Sequence, residues 1–376
     1  MRRITFVSIL ILCYQLCQLS VCAHAADRPQ YAYIGGYSSA GNHSGVFEFR
    51  VKPDGSLQPL RNGPMKGGAG QEGFLLYELL IDPQTRTVYG LSMNDKIYSY
   101  AIGRTGRLSL KAVTPLTDAS EGQVVLDPQQ HFLYALDGDN GLFVYDALNP
   151  QHLIKKQTIK ADTDLQYLFL DKERRSLLVF AGHQGMHGQN TDRLLLRYAL
   201  RRRGRVSTPP VTAHPLNGLA SADVIAGRFL VGDSDSTLTI HKMEGDGSLR
   251  PVSRQPILKV VAANQISRIV YRRAGSFLYI GTSESTGDPH ITPAASPIIV
   301  CRLSSDGHLS GQEQTGQPVP NPRPYLDNTG RFLYVVGTEG ALDAYQVGPE
   351  GHLSHSGSHI EIPAPTGMVF FGGTKN

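Results

Sequence analysis

Short stretches of alternating hydrophobic and polar residues recur along the chain from about residue 31 to its C-terminal part. Residues 46–51 and 238–243 are two examples, and each is followed within a few residues by a glycine turn. Because successive side chains of a β-strand point to opposite faces, this period of two predicts strands with one buried face. No stretch of useful length has the period of a helix, and 40 glycines and 23 prolines favour frequent turns. We therefore predict an all-β protein.

The strands belong to a repeated unit. One half of the unit reads Leu-Asp, five residues, then Leu-Tyr, as at Leu126-Asp127 and Leu133-Tyr134. The other half is an alternating strand, a glycine turn and a leucine. Seven positions align on the last residue of the first half, at Tyr33, Tyr89, Tyr134, Leu178, Val231, Tyr279 and Tyr334. Their spacing of roughly 44 to 56 residues suits one four-stranded blade, so the pattern predicts a seven-bladed β-propeller.

The two ends of the repeat are predicted to meet in one blade. The first unit begins at Tyr31-Ala32-Tyr33-Ile34, which matches the second strand of later units. Its missing first strand is expected from the C-terminal segment, residues 365–371. Closure of this kind removes the open sheet edges that a broken ring would expose.

The N-terminal segment differs from the repeats. Met1-Arg2-Arg3 precedes an uncharged stretch at residues 4–22, and Ala23-His24-Ala25 follows it. A basic start, an apolar stretch and an Ala-x-Ala site are the parts of a secretory signal peptide, with a membrane anchor as the alternative. We therefore predict a signal peptide at residues 1–25, a propeller at residues 26–376, and a periplasmic or secreted protein.

Charge and cysteine content restrict the partners. The net charge of +4 is too small to indicate a nucleic-acid-binding protein. The basic run Arg201-Arg202-Arg203 with Arg205 is expected to be a solvated hairpin turn, with nucleic-acid or lipid binding as the less favoured alternative. Removal of the signal peptide would leave Cys301 alone, which excludes an intramolecular disulfide. We expect a monomer without cofactor or metal, and no membrane contact beyond the signal segment.

Two segments resemble those of a known family. Tyr33-Ile34-Gly35-Gly36-Tyr37 is similar to its opening unit, and Asn321-Pro322-Arg323-Pro324-Tyr325 is similar to its last unit. The chain thus resembles the seven-bladed lactonase group, which contains bacterial 6-phosphogluconolactonase and fungal carboxymuconate-lactonizing enzymes. The resemblance implies hydrolysis of a sugar-acid or related lactone. Family members usually carry Pro-Arg-His where a middle inner strand begins, whereas this chain has Leu219-Ala220-Ser221-Ala222-Asp223.

The repeat also predicts which residues line the channel. Arg323 lies four residues before Asp327, and the same offset identifies the equivalents in other units as Arg268, Tyr167, Gln123 and Glu78. Asp223 is the expected equivalent in the fifth unit, and Thr366 the approximate one in the first. Because the innermost strands line a propeller's channel, these side chains are predicted to form a polar ring at one mouth.

A polar ring of this composition suggests a chemistry. Arg268 and Arg323 are expected to clamp a carboxylate or phosphate, or to stabilise the oxyanion formed when a lactone carbonyl is attacked. Glu78 or Asp223 would be the general base, and Gln123 and Tyr167 would contact the substrate. In the alternative interpretation these groups pair with each other and with water, and the propeller binds a small anion or a protein partner on its loop face without catalysis.

Three long connections, at residues 37–45, 182–192 and 281–297, are predicted to wall a pocket over the ring. His183 lies in the second of them and is expected to contact the ligand. His187 follows at the spacing of two zinc ligands on a helix, but no third ligand is evident, so a metal site is the less favoured alternative.

Overall fold

The computed structural model describes residues 29–37, 44–66, 76–92, 96–116, 123–137, 141–160, 165–173, 175–182, 194–215, 221–225, 228–232, 237–245, 248–257, 265–283 and 294–373. The predicted signal peptide and His183 lie outside these ranges. The described residues form 28 strands and one short 3-10 turn at Arg202–Gly204. Among them, no helix has the length and apolar character needed to cross a bilayer.

The strands form seven four-stranded antiparallel sheets in this described part of the chain, which confirms the predicted seven-bladed propeller. We number the blades in chain order and name their strands from the channel outwards. Blade 1 consists of Pro365–Phe371, Gln30–Gly36, Gly45–Val51 and Leu57–Pro59, and blade 2 of Leu76–Asp82, Thr87–Ser92, Lys96–Ile102 and Leu108–Pro115. Blade 3 consists of Val124–Asp127, Phe132–Asp137, Gly141–Asp146 and Ile154–Ile159, and blade 4 of Leu165–Asp171, Ser176–Ala181, Leu194–Ala199 and Thr212–Pro215. Blade 5 consists of Ser221–Ile225, Arg228–Gly232, Thr237–Met243 and Leu249–Pro256. Blade 6 consists of Gln265–Arg272, Phe277–Ser283, Ala295–Leu303 and Leu309–Pro320, and blade 7 of Arg323–Leu326, Phe332–Val336, Ala341–Val347 and Leu353–Glu361.

The C-terminal strand closes the ring as predicted. Pro365–Phe371 is the inner strand of blade 1 and pairs antiparallel with Gln30–Gly36. Asn328 of blade 7 adds a second connection, because its side-chain amide donates to the carbonyls of Phe370 at 3.1 Å and Gly372 at 3.0 Å. Both ends of the described chain are therefore held in one blade.

The repeated tyrosine explains why the half-motif recurs. The buried hydroxyl of Tyr33 donates to the Gly106 carbonyl at 2.8 Å, in the glycine turn of the next blade. Tyr334 makes the same bond to Gly55 at 2.8 Å, across the seam between blades 7 and 1. Each such bond satisfies a polar group that the apolar interface between blades would otherwise leave unpaired. At Tyr33 and Tyr334 the motif thus connects neighbouring blades.

Blade 5 departs from the alignment of the other units. Two residues join its inner and second strands, whereas four residues join the corresponding strands of blade 6. The second strand begins at Arg228 in blade 5 and at Phe277 in blade 6. Each of these residues pairs with the next-to-last residue of the third strand of its own blade. Counting from them, Leu230 takes the position of Tyr279, so the alignment of Val231 with that tyrosine was wrong by one residue.

Candidate functional site

The central channel contains a cavity of about 780 Å³ that extends along the inner strands, from Gln123 to Pro128 in blade 3 for example. Its walls include every ring residue predicted from the repeat, namely Glu78, Gln123, Tyr167, Asp223, Arg268, Arg323 and Thr366. The structure therefore brings these seven side chains to one cavity. His183 is not among the described residues.

The pairing register places Asp223 deeper in the channel than the ring. Position 221 pairs with Gly232, and the corresponding pair in blade 6 is Arg268 with Gly281. Ser221 is thus the equivalent of Arg268, and the assignment of Asp223 to that position was wrong because blade 5 has the shorter turn. Asp223 lies two residues further on, which is the same face of the strand and about 7 Å along the channel.

In blade 1 the equivalent position is Gly367, which pairs with Gly35. Thr366 is the extra residue of a β-bulge immediately before it, so the approximate assignment of Thr366 is corrected by one residue. Bulges change the direction of a side chain and are common beside binding sites. The same irregularity directly precedes the ring residue in three more blades, at Glu78, Tyr167 and Arg268.

Ring side chains also connect neighbouring blades. The Val124 N–H of blade 3 donates to Glu78 Oε2 of blade 2 at 3.3 Å. Across the next seam, the Leu168 N–H donates to the side-chain oxygen of Gln123. Arg323 Nη1 donates to the Thr366 carbonyl at 3.0 Å, where the C-terminal strand enters the ring. These bonds fix the positions of the ring residues and give three of them a structural role.

Two carboxyl groups in the cavity have pKa values shifted towards neutrality. Removal from solvent raises the pKa of Glu78 to about 7, although the Val124 N–H and the positive charge of Arg268 both act to lower it. Desolvation likewise raises the pKa of Asp223 to about 6, against the opposing effects of Arg268 and of the hydrogen bond from the Val224 N–H at 2.7 Å. Near neutral pH these groups are therefore suited to accept or donate protons.

Arg268 is the charge that both carboxyl groups share. Its guanidinium carbon lies 4.3 Å from the ring centroid of Tyr325, on the inner strand of blade 7. In the described part of the chain, none of the ion pairs joins Arg268 to Glu78 or Asp223. An aromatic ring holds a guanidinium by its face, while the N–H donors lie in the guanidinium plane. Arg268 can thus direct donors at an anionic or carbonyl oxygen in the cavity.

Sequence reasoning missed two residues that support this arrangement. Tyr325 stands two positions after the ring residue of its blade, and Ser267 stands one position before Arg268. The Ser267 hydroxyl donates to the Pro322 carbonyl at 2.6 Å and so connects blades 6 and 7. Both residues have fixed offsets from the ring, and this is the signal that could have identified them.

Other predicted features have no place in this cavity. Among the described residues, no group of three or more His, Cys, Asp or Glu side chains could hold a metal ion. Cys301 is buried in the third strand of blade 6, and burial raises the pKa of its thiol to about 12. A thiol of this kind is a core residue, because nucleophilic cysteines need a lowered pKa.

No protein-family model and no curated protein sequence matches the chain. Solved structures do. The structure of PpgL, a periplasmic gluconolactonase from Pseudomonas aeruginosa, has a TM-score of 0.70, covers 92% of this chain and 100% of its own, and is 14% identical. This chain therefore shares its fold with that protein. A protein from Lactobacillus plantarum has a TM-score of 0.69, covers 91% of this chain and 99% of its own, and is 16% identical. A functionally unknown protein from Desulfotomaculum acetoxidans has a TM-score of 0.63, covers 92% of this chain and 99% of its own, and is 13% identical.

These likenesses confirm the predicted resemblance to seven-bladed lactonase propellers at the level of the fold. Folds of this type carry many functions, so what the chain does has to be argued from its own cavity.

Proposed function

We propose that this protein hydrolyses a lactone at the polar mouth of its channel. The observation that carries the proposal is that Glu78 and Asp223 line one cavity with Arg268, whose charge acts on both, and that their pKa values are raised to about 7 and about 6. The fold supports it, since the gluconolactonase PpgL has a propeller of the same shape.

The proposed reaction needs a base, an oxyanion partner and an acid. A carboxylate, Glu78 or Asp223, takes a proton from water while the water oxygen attacks the lactone carbonyl. The carbonyl oxygen becomes an oxyanion that Arg268 stabilises. When the tetrahedral intermediate collapses, the bond between the carbonyl carbon and the ring oxygen breaks, and the protonated carboxyl group returns its proton to the leaving alkoxide. The products are a hydroxy acid, which ionises in solution, and the regenerated base.

The remaining ring residues would recognise the substrate. Arg323 keeps one nitrogen on the Thr366 carbonyl and would use its other donors for a carboxylate or phosphate. Tyr167 is 41% exposed and offers a ring and a hydroxyl to a sugar. Gln123 keeps its amide nitrogen as a donor while its oxygen accepts from Leu168. His183, which lies outside the described residues, stays a predicted substrate contact from the sequence.

We also propose that the reaction takes place outside the cytoplasm. The basic and apolar segment at residues 1–25 has the pattern of a signal peptide. The gluconolactonase of the same fold is periplasmic. A compartment reporter fused after residue 376 of the full chain should be active outside the cytoplasm, and the same fusion to residues 26–376 should not.

The test is a panel of lactones: glucono-δ-lactone, its 6-phosphate and an unsubstituted δ-lactone. We expect the purified protein to accelerate the opening of one of them above the spontaneous rate. Loss of the oxyanion donor in Arg268→Met should lower kcat/KM by about 100-fold or more, and Glu78→Gln should lower it by about 100-fold if Glu78 is the base. The matched controls are Arg273→Met and Glu173→Gln, which change exposed residues outside the cavity. Acceleration that survives both cavity substitutions would contradict the proposal.

A second candidate function, binding of a small anion without catalysis, is favoured by the bonds between blades. Glu78, Gln123 and Arg323 each satisfy a backbone group of the next blade, which a purely structural ring would also do. Under this alternative no lactone opens faster than its spontaneous rate, while calorimetry detects gluconate binding that Arg268→Met abolishes.

A further inference from the structure

Positive charge is concentrated on the outer parts of blades 3 and 4. The outer strand of blade 3 and the short turn after the third strand of blade 4 carry six exposed cations: Lys155, Lys156, Arg201, Arg202, Arg203 and Arg205. Arg175, also exposed, adds another where its guanidinium donates to the Arg201 carbonyl at 3.4 Å. The described acids nearest in sequence to these cations are Asp146, Asp171 and Glu173, and Asp171 is buried. We call these seven cations the basic patch.

The turn that displays the arginines is held rigidly. Arg203 has a φ of 58° and Gly204 a φ of 67°, so two left-handed residues reverse the chain. A Cβ on Gly204 would lie 2.2 Å from the Phe132 ring, which shows how closely the turn packs on blade 3. A fixed turn keeps the arginines pointing into solvent at a lower cost in conformational entropy than a mobile tail.

The two halves of the patch meet at one seam. Gln157 of blade 3 and Val206 of blade 4 exchange two hydrogen bonds, both of 2.9 Å. Lys156 and Arg205 are the chain neighbours of these residues. The cations of the two blades therefore form one surface, although they lie about 50 residues apart in sequence.

Exposed apolar side chains lie on the same two blades. Leu148 is 66% exposed, Ile154 43% and Val211 49%, and they are three of the five large hydrophobic residues that are exposed in the described part of the chain. Leu148 is connected to the patch through Asp146, which accepts from the Leu148 N–H at 3.1 Å and pairs with Lys156 at 3.5 Å. Cations around protruding apolar side chains are typical of surfaces that contact lipid.

We infer that the basic patch docks this protein on an anionic phospholipid surface, with Leu148 inserted between the headgroups. Charge complementarity selects a negatively charged partner, and the exposed Leu148 and Ile154 favour a bilayer over a nucleic acid or an acidic polysaccharide. The inference goes beyond lactone hydrolysis and does not depend on it. It also departs from the expectation of no membrane contact, because the run at residues 201–205 alone predicts only a solvated turn.

This orientation leaves the channel mouth open. In each four-stranded meander, the connection from the third to the fourth strand lies at the end opposite to the start of the inner strand. Leu148 and the arginine turn belong to such connections, in blades 3 and 4. The ring of Glu78 and Arg268 lies at the other end. A docked propeller would therefore present its cavity to the aqueous phase.

Sedimentation with vesicles tests the electrostatic part. Residues 26–376 contain all 28 strands, and this protein should bind phosphatidylglycerol-containing vesicles but not pure phosphatidylcholine. Binding should weaken strongly as the ionic strength rises from about 0.01 M to about 1 M, which shortens the screening length from about 30 Å to about 3 Å. The triple variant Lys156→Gln, Arg202→Gln, Arg205→Gln should lose about 10-fold or more in partition coefficient, since each cation near an anionic surface contributes up to about fivefold.

The matched control removes three exposed cations on the other side of the ring, in Arg50→Gln, Lys52→Gln, Arg331→Gln. It has the same change in net charge and should lose less than about threefold. Equal losses in the two triple variants would overturn the inference, as would equal binding to neutral vesicles. Binding of an oligonucleotide or of heparin without binding to vesicles would overturn it as well.

A tryptophan probe tests the insertion. The chain contains no tryptophan, so Leu148→Trp introduces a single fluorophore. Its emission should shift to shorter wavelength when phosphatidylglycerol vesicles are added. Val113→Trp, at an exposed residue of blade 2 outside the patch, is the control and should not shift. Emission of the Leu148→Trp protein that is unchanged by vesicles would show that Leu148 does not enter the bilayer and would overturn this part of the inference.

Discussion

At the scale of single residues, Glu78 combines two roles that conflict energetically. As an acceptor for the Val124 N–H it helps to join blades 2 and 3, and this hydrogen bond favours the ionised form. Its removal from solvent favours the neutral form more strongly, so its pKa is raised to about 7. The folded protein therefore binds a proton at Glu78 more tightly than the unfolded chain, where a glutamate has a pKa of about 4.3.

The stability of the propeller should consequently depend on pH through Glu78. At pH 4 the Glu78 carboxyl group is largely protonated in both the folded and the unfolded protein, so it does not lower the free energy of unfolding. Between about pH 4.3 and about pH 7 the unfolded chain loses its proton first, so wild-type stability falls, and above about pH 7 the full cost is present. Glu78→Gln cannot ionise and can still accept from Val124. At pH 8 we expect this variant to unfold at a higher urea concentration than wild type, because its free energy of unfolding should be larger by on the order of 2 kcal/mol. At pH 4 the two proteins should unfold at the same urea concentration.

Glu173→Gln serves as the control, because Glu173 is an exposed residue on a turn. Its substitution should leave the stability within about 0.5 kcal/mol of wild type at both pH values. A Glu78→Gln protein that is less stable than wild type at pH 8 would show that ionised Glu78 stabilises the fold, contrary to the raised pKa.

At the scale of elements, the repeat determined how much could be predicted. The half-motif placed the ring residues of blades 2, 3, 4, 6 and 7 correctly, because the turn after each of these inner strands has a constant length relative to its tyrosine or leucine. Blade 5 has the shorter turn, and a one-residue shift there moved Val231 into the place of Leu230 and Asp223 into that of Ser221. Thr366 was displaced by a bulge, which adds a residue to one strand without changing the hydrophobic pattern of its partner.

The bonds between blades were beyond prediction from sequence. Arg268 over Tyr325, Gln123 on the Leu168 N–H and Gln157 on Val206 each join residues of different blades, and their contact depends on how the blades pack. The roles of Glu78, Asp223, Arg268 and Arg323 in chemistry remain predictions. Their presence in one cavity is a structural observation.

The glycine turns give a prediction at this scale. Gly55 has a φ of 84°, and a Cβ there would lie 2.3 Å from the Phe332 ring of blade 7. Gly63 has nearly the same backbone, with a φ of 85°, but a Cβ there meets nothing within 4 Å. Gly63→Ala should therefore cost about 1 kcal/mol of unfolding free energy for the left-handed backbone alone. Gly55→Ala should cost about 1–3 kcal/mol more, because Phe332 must also move.

Urea unfolding of the two variants separates the contributions, since both have the same substitution at nearly the same φ. Equal midpoints would mean that the seam between blades 7 and 1 can absorb a methyl group. The close packing of Gly55 against Phe332 would then not limit the stability of the ring.

At the scale of the whole molecule, the C-terminal strand is what makes seven sheets into a ring. Its Met368 and Phe370 are buried in one apolar cluster with residues of blades 1 and 7. The Phe370 ring lies 5.3 Å from that of Tyr334, and the Thr366 carbonyl accepts from Arg323. One strand thus contributes to the core, to the seam and to the cavity wall. Because blades 1 and 7 share this seam, loss of the strand should destabilise both blades.

A chain that ends at Pro363 should therefore lose cooperative folding. It lacks the inner strand of blade 1, exposes the edge of Gln30–Gly36, and leaves the Arg323 guanidinium and the buried partners of Phe370 without their contacts. We expect no sharp thermal transition in near-ultraviolet circular dichroism and early elution in gel filtration. A chain that ends at Gly373 keeps the strand and both carbonyls that accept from Asn328, so it should melt like the full protein. Addition of a peptide of residues 364–373 should restore the thermal transition of the shorter chain. Apart from the peptide bond to the preceding residue, the strand is held to the ring by non-covalent contacts. An unchanged melting temperature for the chain that ends at Pro363 would show that the ring is held closed by the contacts of blades 1 and 7 without this strand.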